Sequence, residues 1–163
     1  MSTIGFDTSN YTTSTAWTDG KTDINVRQIL YVKDGERGIR QSDGVFQHMK
    51  LMPVMYEKLS EHIDFKDVKA VGVSTRPRCV EGSYMPVFLA GEGYAKVVAD
   101  TLGVPLYEFS HQDGHIMAGI YSSGSFELLE NDFISVHLSG GTTEILKSRY
   151  NGFNFDNEII GGS

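Results

Sequence analysis

The stretch that decides the fold is STIGFDTSNYTTSTAWTDG, which spans Ser2–Gly20. Ser2–Phe6 predicts a short strand that ends at the polar run Asp7–Asn10. Thr12–Thr18 is rich in β-branched residues and predicts a second strand, which the turn pair Asp19-Gly20 closes. The two strands are separated by a few residues only, so we expect them to pair antiparallel.

Downstream of this hairpin, strands alternate with helices. A third strand is predicted over Val26–Val32, and later strands over Lys69–Val73 and Val104–Phe109. Apolar residues at spacings of three and four predict helices over Val45–Leu59, Val87–Leu102 and Gln112–Tyr121, with Gly103 as a C-cap. This alternation is typical of parallel strands joined by helical crossovers.

After a linker over Ser122–Asn131, the opening pattern begins again. New strands are predicted over Phe133–Leu138, Thr143–Ser148 and Phe153–Ile160. The sequence therefore predicts an α/β chain with a mixed sheet and flanking helices. We expect one complete domain over residues 1–130 and the start of a second, truncated copy over residues 131–163.

Composition excludes several classes of protein. The chain has 163 residues, a net charge of −7 and one cysteine, which argues against a disulfide-stabilised secreted domain and fits a reducing cytoplasm. No apolar run approaches the ~18 residues that a membrane span needs. The acidic balance argues against a chain that coats nucleic acid by itself, because phosphate contacts need clustered lysine and arginine.

Two hydroxyl-rich strand ends are candidate phosphate sites. At the first, a carboxylate beside hydroxyls is suited to hydrated Mg²⁺ and phosphate oxygens; the alternative is a hairpin turn capped by its own side chains. At the second, paired glycines let backbone N–H groups approach an anion; the alternative is a tight hairpin turn. The candidate residues are Asp7, Thr8, Ser9 and Asn10 in the first unit, and Ser139, Gly140, Gly141 and Thr142 in the second.

A pair of histidines forms a candidate metal site. His111 and His115 are four residues apart, so on a helix they share a face and could hold one metal ion. Two ligands are too few for a closed site, so a third ligand must come from elsewhere. The alternative is a helix start that carries two unrelated histidines.

Taken together, these residues resemble the TsaD family, also called Gcp and long described as O-sialoglycoprotein endopeptidases. The family shares the actin-like ATPase (ribonuclease H-like) fold. Its metal motif His-x-Glu-Gly-His matches His111–His115, and its Ser-Gly-Gly-His-Thr matches Ser139–Thr143. The remaining matches are its Gly-Ile-Glu-Thr-Ser-Cys-Asp-Glu-Thr at Gly5–Thr13, its Gly-Gly-Val and helical His at Gly44, Val45 and His48, and its strand into Gly-Pro-Gly at Val71–Arg78.

The resemblance implies transfer of a threonylcarbamoyl group from threonylcarbamoyl-adenylate to N6 of the adenosine beside the tRNA anticodon. It implies a divalent metal (Fe or Zn) on His111 and His115, and ATP or the adenylate as ligand, with Mg²⁺ as a further ion beside the nucleotide. It also implies small partner proteins of the same pathway, through which an acidic chain reaches tRNA. The endopeptidase description has no support in the residues, since the chain lacks a His-Glu-x-x-His motif.

Departures from the family pattern indicate a divergent paralogue. Tyr11 replaces an aspartate, Arg76 and Arg78 replace the glycines of Gly-Pro-Gly, and Thr142 replaces a histidine. The alternative to a transferase is therefore a non-catalytic, nucleotide-binding scaffold or regulatory partner of the same superfamily. A sugar or acetate kinase is less consistent with the histidine pair.

Length is a further departure, because family proteins are about twice this size, as two domains of ordinary length require. We expect the third metal ligand and the adenosine-binding segment to be absent, and a chain of this length to be inactive alone. The last three strands would lack covering helices, and their open apolar edge predicts a homodimer through the incomplete second domain.

Overall fold

A computed structural model describes residues 1–36, 38–138 and 143–162. Its contacts divide the chain into two compact units, Met1–Pro77 with Gly82–His111, and Arg78–Glu81 with Gln112–Ser163. The last passage from the first unit to the second lies after His111, earlier in the chain than the predicted domain boundary near residue 130. That domain assignment stays a prediction. No described helix is long and apolar enough to cross a membrane.

The first unit is built on a five-stranded mixed sheet in the order β3-β2-β1-β4-β5. β1 pairs antiparallel with β2 and parallel with β4, and β5 continues the parallel part. The predicted opening hairpin and mixed sheet are confirmed. The strands are β1 (Ser2–Asp7), β2 (Thr12–Thr18), β3 (Asp23–Ile29), β4 (Val68–Arg76) and β5 (Leu106–Ser110).

The third strand lies three residues earlier than the predicted Val26–Val32. A tight turn after β2 brings the chain back at once, so Asp23 pairs with Thr18 and Ile29 with Thr12. The backbone of Tyr31 is instead held by the Gln47 side chain, which accepts from Tyr31 N at 2.8 Å and donates to Tyr31 O at 3.0 Å. The sequence did not show this, because the alternation of apolar residues continues past the last paired residue.

Two helices cover the sheet and confirm the predicted helical periods: α1 (Gln41–Ser60) and α2 (Phe88–Leu102). α2 ends at Gly103, whose φ of 66° is the left-handed conformation that glycine adopts without strain. One apolar cluster joins both helices to β1 and β4 and forms the core of the unit. Its buried members are Ile4, Phe6, Met52, Leu59, Val68, Val71, Val73, Ala95 and Ala99.

The second unit holds an antiparallel meander in the order β6-β7-β8. Its strands are β6 (Phe133–Leu138), β7 (Thr143–Tyr150) and β8 (Phe155–Gly162). A helix, α3 (His111–Ser123), precedes them, and a 3₁₀ turn over Phe126–Glu130 lies where a linker was predicted. In this turn Leu128 N donates to Ser125 O at 3.1 Å, a local bond that the sequence pattern did not predict.

The edge strand of this meander carries an exposed apolar row. Ile134, Val136 and Leu138 alternate along β6 and are 57%, 58% and 72% exposed. Val136 is paired directly with Ile145 on β7, which is also exposed. The alternate positions of β6 are only partly exposed, as the two-residue period of a strand requires; they are Phe133, Ser135 and His137.

Candidate functional site

The carboxyl ends of the parallel strands in the first unit bring polar residues together. Asp7 is the last residue of β1, Ser110 is the last residue of β5, and His111 follows directly as the first residue of α3. Parallel neighbours β1, β4 and β5 end at the same edge of the sheet. Ligands of open α/β sheets bind at this edge.

Asp7 and His111 form a close carboxylate–imidazole pair. Asp7 Oδ2 lies 2.8 Å from His111 Nδ1, and Asp7 Oδ1 accepts a hydrogen bond from the backbone N–H of Ser9 at 2.7 Å. The imidazole ring also packs against Phe88, with ring centroids 6.3 Å apart. The sequence named both residues as site candidates but did not pair them, since 104 positions separate them.

The electrostatics of this pair favour an ionised Asp7. Burial raises the pKa of the carboxyl, but the hydrogen bond and charge of His111, with hydrogen bonds from Ser74 and Ser9, outweigh burial and set the pKa at about 2. Asp7 is therefore an anion throughout the physiological range.

The Thr8 side chain stabilises the packing of β1 against α2. Its side chain is fully buried, and its hydroxyl donates to Val87 O at 2.8 Å and accepts from Gly91 N at 3.0 Å. The hydroxyl thereby ties the end of β1 to the start of α2. Its predicted contact with phosphate stays a prediction.

Ser9 and Asn10 lie in the turn between β1 and β2. Thr12 N donates to Ser9 O at 3.3 Å, and Asn10 has a φ of +42°, in the left-handed region that asparagine tolerates better than most residues. The second predicted phosphate segment, Ser139, Gly140, Gly141 and Thr142, lies outside the described residues.

His48 is a buried neighbour of this turn that the sequence singled out only as a family match. It is fully buried in α1, and its Nδ1 lies 2.7 Å from Thr13 Oγ1. Burial lowers the pKa of His48, while the backbone of Asn10 and the charge of Asp7 offset part of that effect. The ring therefore favours its neutral form more than an exposed histidine does.

In the second unit, three polar side chains surround a buried carboxylate. Glu144 is 8% exposed and accepts from Arg78 at 2.8 Å and from Gln112 Nε2 at 3.2 Å, and His137 Nδ1 lies 3.9 Å away. The sequence did not predict this cluster. Its only sequence indication is the alternation along β6 and β7, which places His137 and Glu144 opposite each other in the register.

His115 lies beside His137 in this unit, with ring centroids 5.6 Å apart. The two rings line a cavity of about 250 Å³ together with Gln112 and apolar side chains of α3 and β6. His111 and His115 belong to one continuous helix, α3, but the division between the two units falls directly after His111.

The donor set fits a metal in part. Imidazole nitrogens suit Zn and Fe, and Asp7 holds His111 by Nδ1, so Nε2 is the nitrogen that a metal would bind. Across residues 1–36, 38–138 and 143–162, no group of three or more His, Cys, Asp or Glu side chains is placed to hold a metal ion. The described residues thus hold no closed metal site, and the role of His111 and His115 as metal ligands stays a prediction.

The residues that depart from the family pattern have separate surroundings. Tyr11 is 40% exposed. Arg76 donates to Thr75 Oγ1 at 3.2 Å at the end of β4. Arg78 belongs to the second unit, where it pairs with Glu144.

The sheet order β3-β2-β1-β4-β5, with the helices that cover it, defines the first unit as a ribonuclease H-like unit of the actin-like ATPase class. Solved structures agree on this fold. YeaZ from Pseudomonas aeruginosa superposes with a TM-score of 0.56 at 11% identity, over 100% of this chain and 66% of that protein. The ethanolamine utilization protein EutJ from Carboxydothermus hydrogenoformans gives 0.50 at 18% identity, over 99% and 53%.

Within this class, the chain belongs to the TsaD family, described as tRNA N6-adenosine threonylcarbamoyltransferase, whose pattern matches residues 36–162. Curated relatives carry the same description. The protein of Christiangramia forsetii is 33% identical over 98 residues, which cover 60% of this chain and 27% of the relative. That of Pyrobaculum calidifontis is 28% identical over 144 residues, which cover 87% and 40%. The chain thus spans less than half the length of these relatives.

Proposed function

We propose that this chain takes part in threonylcarbamoyl transfer to N6 of adenosine in tRNA. The observation that supports the proposal most directly is the family match over residues 36–162, a span that includes His111 and His115. The donor would be threonylcarbamoyl-adenylate. In the transfer, a bond forms between N6 and the carbamoyl carbon, the bond from that carbon to the phosphate oxygen breaks, AMP leaves, and N6 loses a proton.

Metal chemistry belongs to this proposal. His111 and His115 would hold a divalent Fe or Zn ion, which when bound supplies a Lewis acid and a template for the acyl donor. The Asp7 carboxylate lies 2.8 Å from His111 Nδ1, from which it would accept a hydrogen bond that holds the ring in place. The third ligand would have to come from outside the described residues or from the donor itself.

The phosphates of ATP or the adenylate would lie at the strand ends. Ser9 and Asn10 are in the turn that follows β1, and its backbone and side chains offer hydrogen bonds to phosphate oxygens. We propose that Asp7 and Thr8 belong to the same phosphate site, where Asp7 would act through a Mg²⁺ ion beside the nucleotide. Ser139, Gly140, Gly141 and Thr142 are the proposed partners from the second strand set.

Partner proteins complete the proposal. With a net charge of −7, the chain has little of the basic surface that tRNA binding needs. Small proteins of the same pathway would supply that surface, so tRNA would be contacted indirectly. We propose that the chain works in the cytoplasm, where tRNA is modified.

Metal analysis and a transfer assay test the proposal. The chain is incubated with its partner proteins, tRNA and threonylcarbamoyl-adenylate, and nucleosides are quantified by mass spectrometry after digestion. We expect modified adenosine in proportion to bound metal, and loss of both in the His111→Ala, His115→Ala double variant. A wild-type chain that binds no metal, or a double variant with full activity, contradicts the proposal.

A scaffold role is the second candidate, and one observation favours it. Arg78 stands where the family has glycine, and its guanidinium is engaged by the buried Glu144 at 2.8 Å. Where the family's glycine lets the backbone approach a ligand, this chain thus has a side chain held in an ion pair. Nucleotide binding without any transfer, with partner proteins present, would support the scaffold over the transferase.

A further inference from the structure

We propose that Asp7 is a positioning residue for His111, which selects the tautomer that presents Nε2 of the imidazole to a metal ion. The inference rests on the proposed metal site and adds a residue to it. The sequence pattern and the family resemblance suggested phosphate or Mg²⁺ as the partner of Asp7. The geometry adds a direct partner, the imidazole of His111.

The contact is short and its geometry is fixed from both sides. Asp7 Oδ2 lies 2.8 Å from His111 Nδ1, while Oδ1 accepts from Ser9 N at 2.7 Å. Asp7 belongs to β1, which has paired strands on both sides, and His111 follows β5 without an intervening loop. Neither partner depends on a flexible loop for its position.

The charge on the carboxylate decides which ring nitrogen carries the proton. An ionised carboxylate accepts hydrogen bonds but donates none, so Nδ1 must be the N–H of a neutral His111. The lone pair of the neutral ring is then on Nε2, and a metal needs a lone pair. Carboxylates that accept from a ligating histidine in this way fix ring orientation, and their loss typically lowers metal affinity ~10–100-fold.

The Asp7→Asn variant separates this role from a merely structural one. The amide can turn its NH₂ group toward Nδ1 and donate to it, which moves the ring proton to Nε2 and removes the lone pair from the metal side. Size and shape are almost unchanged. A structural carboxylate would tolerate this substitution without any change of tautomer.

The first measurement needs no metal. Long-range ¹H–¹⁵N spectra of the histidine-labelled chain report the tautomer of each imidazole, and a His111→Gln variant assigns the His111 signals. We expect Nδ1–H for His111 in the wild type and a shift toward Nε2–H in Asp7→Asn. A wild-type ring in the Nε2–H form overturns the inference, whatever the fate of the variant.

The second measurement is affinity for Zn²⁺ and Co²⁺, by competition with a chromophoric chelator. We expect a loss of about 10- to 100-fold in Asp7→Asn and none in Asp19→Asn, which removes an exposed turn carboxylate. Equal affinity in both variants overturns the inference. So does a variant that loses only Mg²⁺-ATP binding, because Asp7 would then act at the nucleotide site alone and not on His111.

Failure of the proposed function is distinguishable from failure of this inference. A wild-type chain that binds neither Zn²⁺ nor Co²⁺ contradicts the metal site itself, while the tautomer spectra still test the Asp7 contact. A wild-type chain that binds metal, with an unchanged tautomer and affinity in Asp7→Asn, contradicts only the role of Asp7.

Discussion

The close approach of α2 to the end of β1 leads to a sharp prediction for Gly91→Ala. A Cβ atom at position 91 would lie 2.8 Å from Thr8 Oγ1 and 3.3 Å from Thr8 Cγ2. Thr8 cannot move aside cheaply, because its hydroxyl is buried and bonded to both Val87 O and Gly91 N. Either the helix must shift or both hydrogen bonds must break.

The magnitude follows from three contributions. Overpacking a buried contact costs about 1–3 kcal/mol, and a buried group without its hydrogen bond costs about 1–3 kcal/mol. Replacing glycine by alanine inside a helix returns about 1 kcal/mol. We expect Gly91→Ala to lower the free energy of unfolding by about 2 kcal/mol, since the helix relaxes part of the clash.

Gly93→Ala is the matched control on the same helix. A Cβ there meets nothing within 4 Å, so only the helix propensity changes and we expect a gain of about 0.5–1 kcal/mol. Urea unfolding is followed by the fluorescence of Trp17, the single tryptophan, which packs against the core of the same unit. The two variants should therefore differ by about 3 kcal/mol.

A double-mutant cycle identifies the clash as the cause. In a Thr8→Ala background the two clashing atoms, Oγ1 and Cγ2, are gone and only Cβ remains, at an ordinary contact distance of 3.6 Å, so Gly91→Ala should become neutral or slightly stabilising. If Gly91→Ala is as stable as Gly93→Ala in the wild-type background, helix α2 does not approach Thr8 at this distance. If the cost persists in the Thr8→Ala background, the packing argument is wrong.

Three further predictions concern pH and association. The pKa of Asp7 is about 2, against an ordinary value of 3.8, so the ionised carboxylate contributes about 2 kcal/mol to the free energy of unfolding above pH 4, and this is lost as the pH falls toward 2. Urea titrations in acid should show a shallower loss of stability for Asp7→Asn, and equal slopes would contradict the contact. Burial lowers the pKa of His48, so the unfolded chain takes up the proton first. The free energy of unfolding should therefore fall as the pH drops below about 6.5. His48→Gln should flatten this pH dependence, whereas His62→Gln, at an exposed position, should leave it unchanged. The apolar row on β6 predicts that the chain is a homodimer in sedimentation equilibrium. Val136→Lys should convert the dimer to monomer, whereas Phe153→Lys, which changes an exposed side chain outside that row, should leave the dimer intact. A monomeric wild-type chain would refute this prediction.

The elements of the fold followed from local patterns. The helices agree with apolar spacings of three and four, and Gly103 ends α2 as expected because only a residue tolerant of positive φ fits there. The third strand was displaced by three residues, because pairing in a hairpin is set by the turn and not by alternation. The 3₁₀ turn at Phe126–Glu130 depends on a few local hydrogen bonds that leave no periodic pattern.

The sequence alone determined which residue types stand at the strand ends, because a polar residue that follows an apolar strand can be recognised from residue order. It thereby identified Asp7 and His111 as candidates. Only the tertiary structure decided that these two side chains are partners, that the Thr8 hydroxyl ties β1 to α2, and that Glu144 collects Arg78 and Gln112. The physical reason is that each contact joins positions far apart in the chain. Hydrogen bonds at 2.8 Å depend on strand register and helix placement, which local propensity does not specify.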